Sequence, residues 1–546
     1  VVFGSQGKAL YIPQDEGLDS SPLDEETPLL GFHEDEVVGT ESSAHHNNHI
    51  DHRTAELEAQ ERDLLKSNNI VTGSDSSINS AWEEALSKGL LKTSIRIETK
   101  SLVKSSLPMI ITFLLQNSFS LTSIYSVGHL GKTQLAGITL GTMTANITGF
   151  AAIQGLTTCL DTLCSQAYGA GKYELVGLNF LRCSIFAIVC FLPIGVFWQF
   201  GMEYLLSLVV PDLELVKIAA SYLRVVCWGI PGFILFECGK RFLQSQNCFH
   251  ASTYVLVLCA PLNVFLNWLF VWKLEMGYIG APIAITLNYW VMPLGLFIFT
   301  MLNKQFLVCW PKNLKVEQLF TNWTKMMELA LPGIIMVEAE FLGFEIITLM
   351  ASNLGTAELA AQSVISSICA LAYQIPFSVS IVTATRVANF IGASLVDNSK
   401  ICCKSSVQIG LLIGIFNSIL VWYNQDFIVT FFTNDQEVIG LAKRTIWLVS
   451  MMQIFDCLNA CLSGSLRGQG LQKIGGYINI FAFYCVGIPL SYILAFKYDL
   501  SVEGLWMGII CGLVFICLSQ FYFVFWSPNW EKILQAAKNR NNENEV

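Results

Sequence analysis

The chain has 546 residues, of which 53% are hydrophobic and only 14% charged. A water-soluble domain carries about a quarter charged residues, so this composition excludes an ordinary soluble globular protein and points to lipid as the main solvent. The net charge of −10 belongs to one end: residues 1–100 hold 19 Asp and Glu against 8 Lys and Arg, and the other 446 residues hold 23 against 24, with no basic patch for nucleic acid.

In chain order, residues 1–100 are acidic and rich in Ser, Asn and His. They cannot bury enough apolar surface to fold alone and are read as a disordered cytosolic tail, with short helices possible only over 54–66 and 82–91. Glu25-Glu-Thr-Pro-Leu29-Leu30 fits an acidic dileucine signal. It predicts a sorting adaptor at Leu29 and Leu30 and a vacuolar, lysosome-like membrane in preference to the plasma membrane. His45, His46, His49 and His52 are read as solvated spacer, not as a metal site. Twelve apolar runs of bilayer-crossing length follow, at 106–128, 134–157, 178–200, 217–237, 251–272, 280–302, 329–351, 357–381, 406–424, 443–463, 475–496 and 503–526. The expected fold is an all-α membrane protein of twelve transmembrane helices in two six-helix lobes, 101–303 and 329–527, with a cytosolic linker at 304–328 and a cytosolic tail at 528–546. Loops after even-numbered spans hold about twice as many Lys and Arg as the others, which places them and both termini in the cytosol. The seventeen cysteines sit mostly in apolar runs and read as packing residues rather than a disulfide framework.

An internal repeat organises the body. Leu107-Pro108, Leu130-Gly131 and Leu135-Ala136 recur 224 residues later as Leu331-Pro332, Leu354-Gly355 and Leu359-Ala360. Gly169-Ala170, Leu243, Gln246 and Tyr254 recur at an offset of 223 as Gly392-Ala393, Leu466, Gln469 and Tyr477. Six spans per half is an even number, so equivalent spans point the same way. This is a parallel repeat about an axis along the membrane normal, with the site expected between the lobes.

Span seven carries Glu338, Glu340 and Glu345. At about 2.5–3.5 kcal/mol for each central acid, the three cost about 8–10 kcal/mol, far more than a few Leu and Ile return. They must face a wet cavity, find partners or be protonated. Glu338 and Glu345 are seven residues apart and nearly share a face, whereas Glu340 lies about 140° from Glu345. Span ten carries a lone acid, Asp456, with Asn459 one turn on. Span one has Gln116 and Asn117 where span seven has acids, so coupling is expected in the C-terminal lobe. Burial disfavours a charged carboxylate and brings its titration towards neutral pH. Protonation then releases a cationic solute and deprotonation attracts one, which gives exchange. Asp161, Gln166 and Arg467 are expected to be gate or structural residues, Glu237 with Lys240 and Arg241 an interfacial ion pair, and Arg386 a headgroup anchor or gate contact.

Four stretches resemble the multidrug and toxic compound extrusion (MATE) family, in particular a eukaryotic, fungal-like branch: Leu156 to Ala170, Arg241 to Asn247, span seven, and Cys461 to Gly470 through Gly487-Ile-Pro489. The likeness covers residues 100–530. It implies two rocking lobes around a central cavity and proton-coupled export of organic cations or small metabolites, with no cofactor beyond the coupling proton. It also implies that Glu340, Glu345 and Asp456 occupy the family's acid positions; Glu338 is extra. The missing acid in span one argues against sodium coupling through that lobe. A lipid-linked substrate flippase or a sodium-coupled exporter of the same superfamily is the alternative. The expected partners are a small organic solute and the bilayer, and the expected state is a monomer.

Overall fold

The computed structural model describes residues 93–542 except 211, 313, 433 and 434, and the backbone of two short strands, Val2–Phe3 and Ala9–Leu10, which pair antiparallel. The dileucine motif, the histidine cluster and the two candidate tail helices lie outside the described residues.

Among the described residues ten helices are long and apolar enough to cross a membrane: α1 Ile95–Gly128, α2 Lys132–Gly169, α3 Tyr173–Phe200, α5 Ala251–Lys273, α6 Gly277–Leu302, α8 Thr356–Gly392, α9 Val396–Tyr423, α10 Gln436–Gln469, α11 Gln472–Lys497 and α12 Ser501–Trp526. An eleventh, α4, is broken into Leu213–Val226 and Ile230–Ser245, bent by 55°. Pro231 opens its second half, where a missing N–H costs nothing. The twelfth, α7, runs over Trp323–Ser352. At 1.5 Å per residue it is about 45 Å long, ample to span. Its acids, not its length, keep it from reading as apolar.

The predicted boundaries of two helices shift, and the described segments outside the spans are structured. α1 starts at Ile95, inside the segment read as tail, because Ser94 caps it and its polar first turns find a protein surface to cover. α7 starts at Trp323, inside the predicted linker. The linker itself is seated, not loose: Arg182 of α3 donates to the Gln318 carbonyl at 2.6 Å and to Thr321 Oγ1 at 2.7 Å. The C-terminal tail contains a further helix, α13, over Trp530–Asn542. Hydropathy detects only the lipid-crossing part of a helix, and these additions are polar turns that fold against protein.

Helices α1–α6 and α7–α12 form two lobes. Leu223, Val226, Phe236 and Ile285 belong to the buried core of the first, and Ile365, Ile446, Trp506 and Leu513 to that of the second. α10 is the central helix of its lobe, packed by α8, α9 and α12. All seventeen cysteines are free, and Cys402 and Cys403 are buried.

The lobes meet on the face where α1 begins and α12 ends, called here the terminal face. Gly169 of α2 lies on the Asn389 carbonyl of α8, where a Cβ would come within 2.0 Å; Gly392 of α8 lies on the Gln166 carbonyl of α2, at 2.1 Å. Both pairs are related by the 223-residue offset, so the contact is self-complementary about the pseudo-two-fold axis. Among the described residues no hydrogen bond or ion pair joins residues 128–145 to residues 345–361, near the opposite face.

Candidate functional site

The two lobes treat their buried charges differently. In the N-terminal lobe, Glu237 accepts from Lys240 Nζ at 2.7 Å, from Arg241 Nη1 at 2.7 Å and from Gln116 Nε2 at 3.0 Å. Arg241 also pairs with Asp161, Nε to Oδ1, at 3.2 Å. Helical spacing places Lys240 and Arg241 one turn beyond Glu237 on its own face. The ion pair expected at an interface is a closed network in the lobe interior, with all four side chains at most 4% exposed. Gln116, the repeat equivalent of Glu340, is tied into it.

In the C-terminal lobe the acids lack such partners. Asp456 of α10 is 3% exposed, and its Oδ1 has no hydrogen-bond partner. Glu340 of α7 interacts through space with Asp456 and Arg467 and with the hydroxyl of Tyr373 on α8. Neither Glu340 nor Asp456 has an ion-pair partner among the described residues. Arg467 is a nearby cation that forms no ion pair with Glu340. The structure thus joins Glu340 to Asp456 across two helices, and leaves the other span-seven acids outside this group. Glu345 is half-buried with no ion-pair partner among the described residues, and Glu338 is half-buried and lies near Tyr484 of α11.

Asn459 is buried and starts a polar chain. Ser463 Oγ lies 3.2 Å from Asn459 Oδ1 and 3.2 Å from Gln520 Oε1 of α12. Gln520 Nε2 donates to Asn479 Oδ1 of α11 at 3.3 Å, and Asn479 Nδ2 donates to the Met336 carbonyl of α7 at 3.2 Å. Met336 lies one turn before Glu340, so the chain runs from the helix of one acid to the helix of the other. Sequence reasoning missed Tyr373, Ser463, Asn479 and Gln520. Isolated polar residues in apolar spans were the available signal, but many such residues only bond to their own helix.

Of the three expected gate residues, Gln166 and Arg467 lie at the lobe contact, and Asp161 sits beside it in the Arg241 network. Thr162 Oγ1 donates to the Arg467 carbonyl at 2.6 Å, Gln166 Nε2 to the Gly468 carbonyl at 3.3 Å, and Gln472 Nε2 to Thr162 Oγ1 at 3.1 Å. Arg467 is 5% exposed and donates to Ser380 Oγ at 2.7 Å. Arg386 binds Glu98. Arg467 is buried and Arg386 partly so, and each donates to protein acceptors rather than pointing to lipid headgroups. The arrangement is a closed contact on one face, with a pair of under-partnered acids in one lobe.

A family profile described as MatE matches the chain twice, over residues 108–269 and 332–493, at the 224-residue offset of the repeat. The chain belongs to the MATE family. It is 41% identical over 443 residues to YDR338C, an uncharacterized transporter of Saccharomyces cerevisiae, covering 81% of this chain and 63% of that protein, so it spans less than two thirds of that relative's length. It is 29% identical to multidrug and toxin extrusion protein 2 of Mus musculus, over 83% of this chain and 78% of that one. The eukaryotic MATE transporter AtDTX14 superposes with a TM-score of 0.77 at 28% identity, covering 82% of this chain and 99% of that structure. This MATE chain is therefore a multi-pass membrane transporter with the twelve-helix fold of its family, and not an enzyme.

Proposed function

We propose that the protein is a proton-coupled antiporter that moves organic cations or small metabolites out of the cytosol, into a vacuole-like lumen or to the exterior. The observation that carries this reading is the contrast between lobes. Glu237 and Asp161 are neutralised by cations, whereas Asp456, buried, and Glu340, half-buried, lie within electrostatic reach of each other, and neither has an ion-pair partner among the described residues. Two such acids cannot both stay charged cheaply in a dry interior. A proton on the pair, or a cationic solute beside it, relieves the same cost. The two therefore compete, and competition at one site is exchange. Aromatic neighbours such as Tyr373 and Phe377 supply a surface for an organic cation. The terminal face, closed here, is read as the cytosolic one.

The test is reconstitution of the full chain in proteoliposomes with an imposed pH gradient and a panel of amine-containing solutes. Uptake should follow the proton gradient and fall at least tenfold in Glu340→Gln and in Asp456→Asn, with membrane insertion unchanged. Uptake driven by a sodium gradient alone, or unaltered in both variants, would overturn the reading.

A further inference from the structure

Two segments cross from one lobe to the other on the terminal face, one from each end of the body. The first is the polar start of α1, which lies against α8 and α9 of the opposite lobe. Glu98 there is 1% exposed and accepts from Arg386 of α8 twice, from Nε and from Nη2, both at 2.9 Å. Ser405 of α9 adds a donor to the Ile95 carbonyl at 3.3 Å. A buried bidentate pair is the strong form of an ion contact, and removal of one partner leaves the other uncompensated.

The second crossing runs the other way. α13 follows the C-terminal lobe and packs on both α8 and the end of α2. Ile533, Ala537 and Asn541 recur every fourth residue, form one face and are buried. Asn541 Nδ2 donates to the Gln166 carbonyl at 3.3 Å, the carbonyl on which Gly392 is seated, and Lys172 Nζ donates to the Asn541 carbonyl at 3.3 Å. Arg540 packs over Gly470, where a Cβ would meet Nη1 at 2.6 Å. Burial lowers its guanidinium to about 10, against the pull of Glu328, so it stays charged at neutral pH.

We propose that the Glu98–Arg386 pair and the α13 seat form a two-part clasp that holds the lobes closed on the terminal face, and that both parts release when this face opens. Neither crossing belongs to the core of its own lobe. Each reaches the lobe it does not come from, so rocking of the lobes must break or stretch both. The clasp rests on the alternating-access part of the proposed function and not on proton coupling.

Hydrogen-exchange mass spectrometry on the protein in nanodiscs tests it, with four variants: Glu98→Gln, a chain ending at Pro528, Arg386→Glu alone, and the charge swap Glu98→Arg with Arg386→Glu. In the first two, exchange over residues 158–172 and 385–395 should rise together, by about fivefold to tenfold, since the opened state costs less to reach. The swap should exchange more slowly than Arg386→Glu alone; if that single variant does not fold, the first two carry the test. Unchanged exchange in both, or a rise confined to one lobe, would overturn the clasp. None of these readouts needs a proton gradient. A MATE chain that ignores the gradient would defeat the coupling proposal and leave the clasp standing.

Discussion

Glu237 and Asp456 are both buried acids in apolar helices, and their surroundings give them opposite tasks. Glu237 has three donors, two of them cationic. Its replacement by Gln strands Lys240 in a dry interior and leaves Arg241 with Asp161 alone, and breaking a buried pair in this way costs about 3–5 kcal/mol. We expect Glu237→Gln to lower the melting temperature of the purified protein by several degrees. Asp456→Asn removes a charge that no cation balances, so its melting temperature should hold or rise while exchange is lost. A thermal melt of the two variants side by side checks the contrast; equal loss in both would deny it. The acids themselves were legible in the sequence, since each stands out against an apolar run. The pairing of Glu237 with the cations one turn on was legible too; that Asp161 joins it was not, because the Arg241–Asp161 contact joins residues 80 apart in the chain.

At the scale of single helices, α7 departs most from an ordinary span. It carries four acids, Glu328, Glu338, Glu340 and Glu345, and an internal Pro332, and it is held to its lobe by a polar chain that ends on the Met336 carbonyl. Gln520 is the middle of that chain. Gln520→Leu leaves Ser463 and Asn479 each short of a partner, at about 1–3 kcal/mol apiece. We expect the variant to lose stability in a thermal melt and to slow exchange through displacement of α7. Normal exchange kinetics would show that α7 keeps its place without the chain. The number of spans, their order and their approximate centres were readable from apolar run lengths. Their true ends were not, because the first turns of α1 and α7 and all of α13 are stabilised by contacts with other helices rather than by lipid.

Over the whole molecule the repeat becomes a physical symmetry. Gly169 and Gly392 each lie on a backbone carbonyl of the opposite lobe, and each carbonyl belongs to the residue equivalent to the other, Asn389 and Gln166. A methyl group at either position overlaps backbone, which cannot turn away as a side chain can. Overpacking of this kind costs about 1–3 kcal/mol. Rigid lobes relieve it by parting, so Gly169→Ala and Gly392→Ala should widen the gap at the terminal face with little change in melting temperature. Distances between spin labels on Lys172 and Ser394 replaced by Cys, in a background without exposed native thiols, would report the shift. A change in only one of the two glycine variants would argue against symmetric closure.

The sequence alone determined that the chain lives in lipid, that it has twelve spans in two repeats, and that its second half carries acids too costly to face lipid. These are local properties, set by run length, spacing and the transfer cost of a charge. Only the tertiary structure decided which acids are balanced by cations, which polar residues join into a chain, which face is closed and which terminal helices hold it closed. Each of those depends on residues from distant segments meeting at hydrogen-bonding distance, and in an apolar helix nothing in the local pattern says which neighbour will be there.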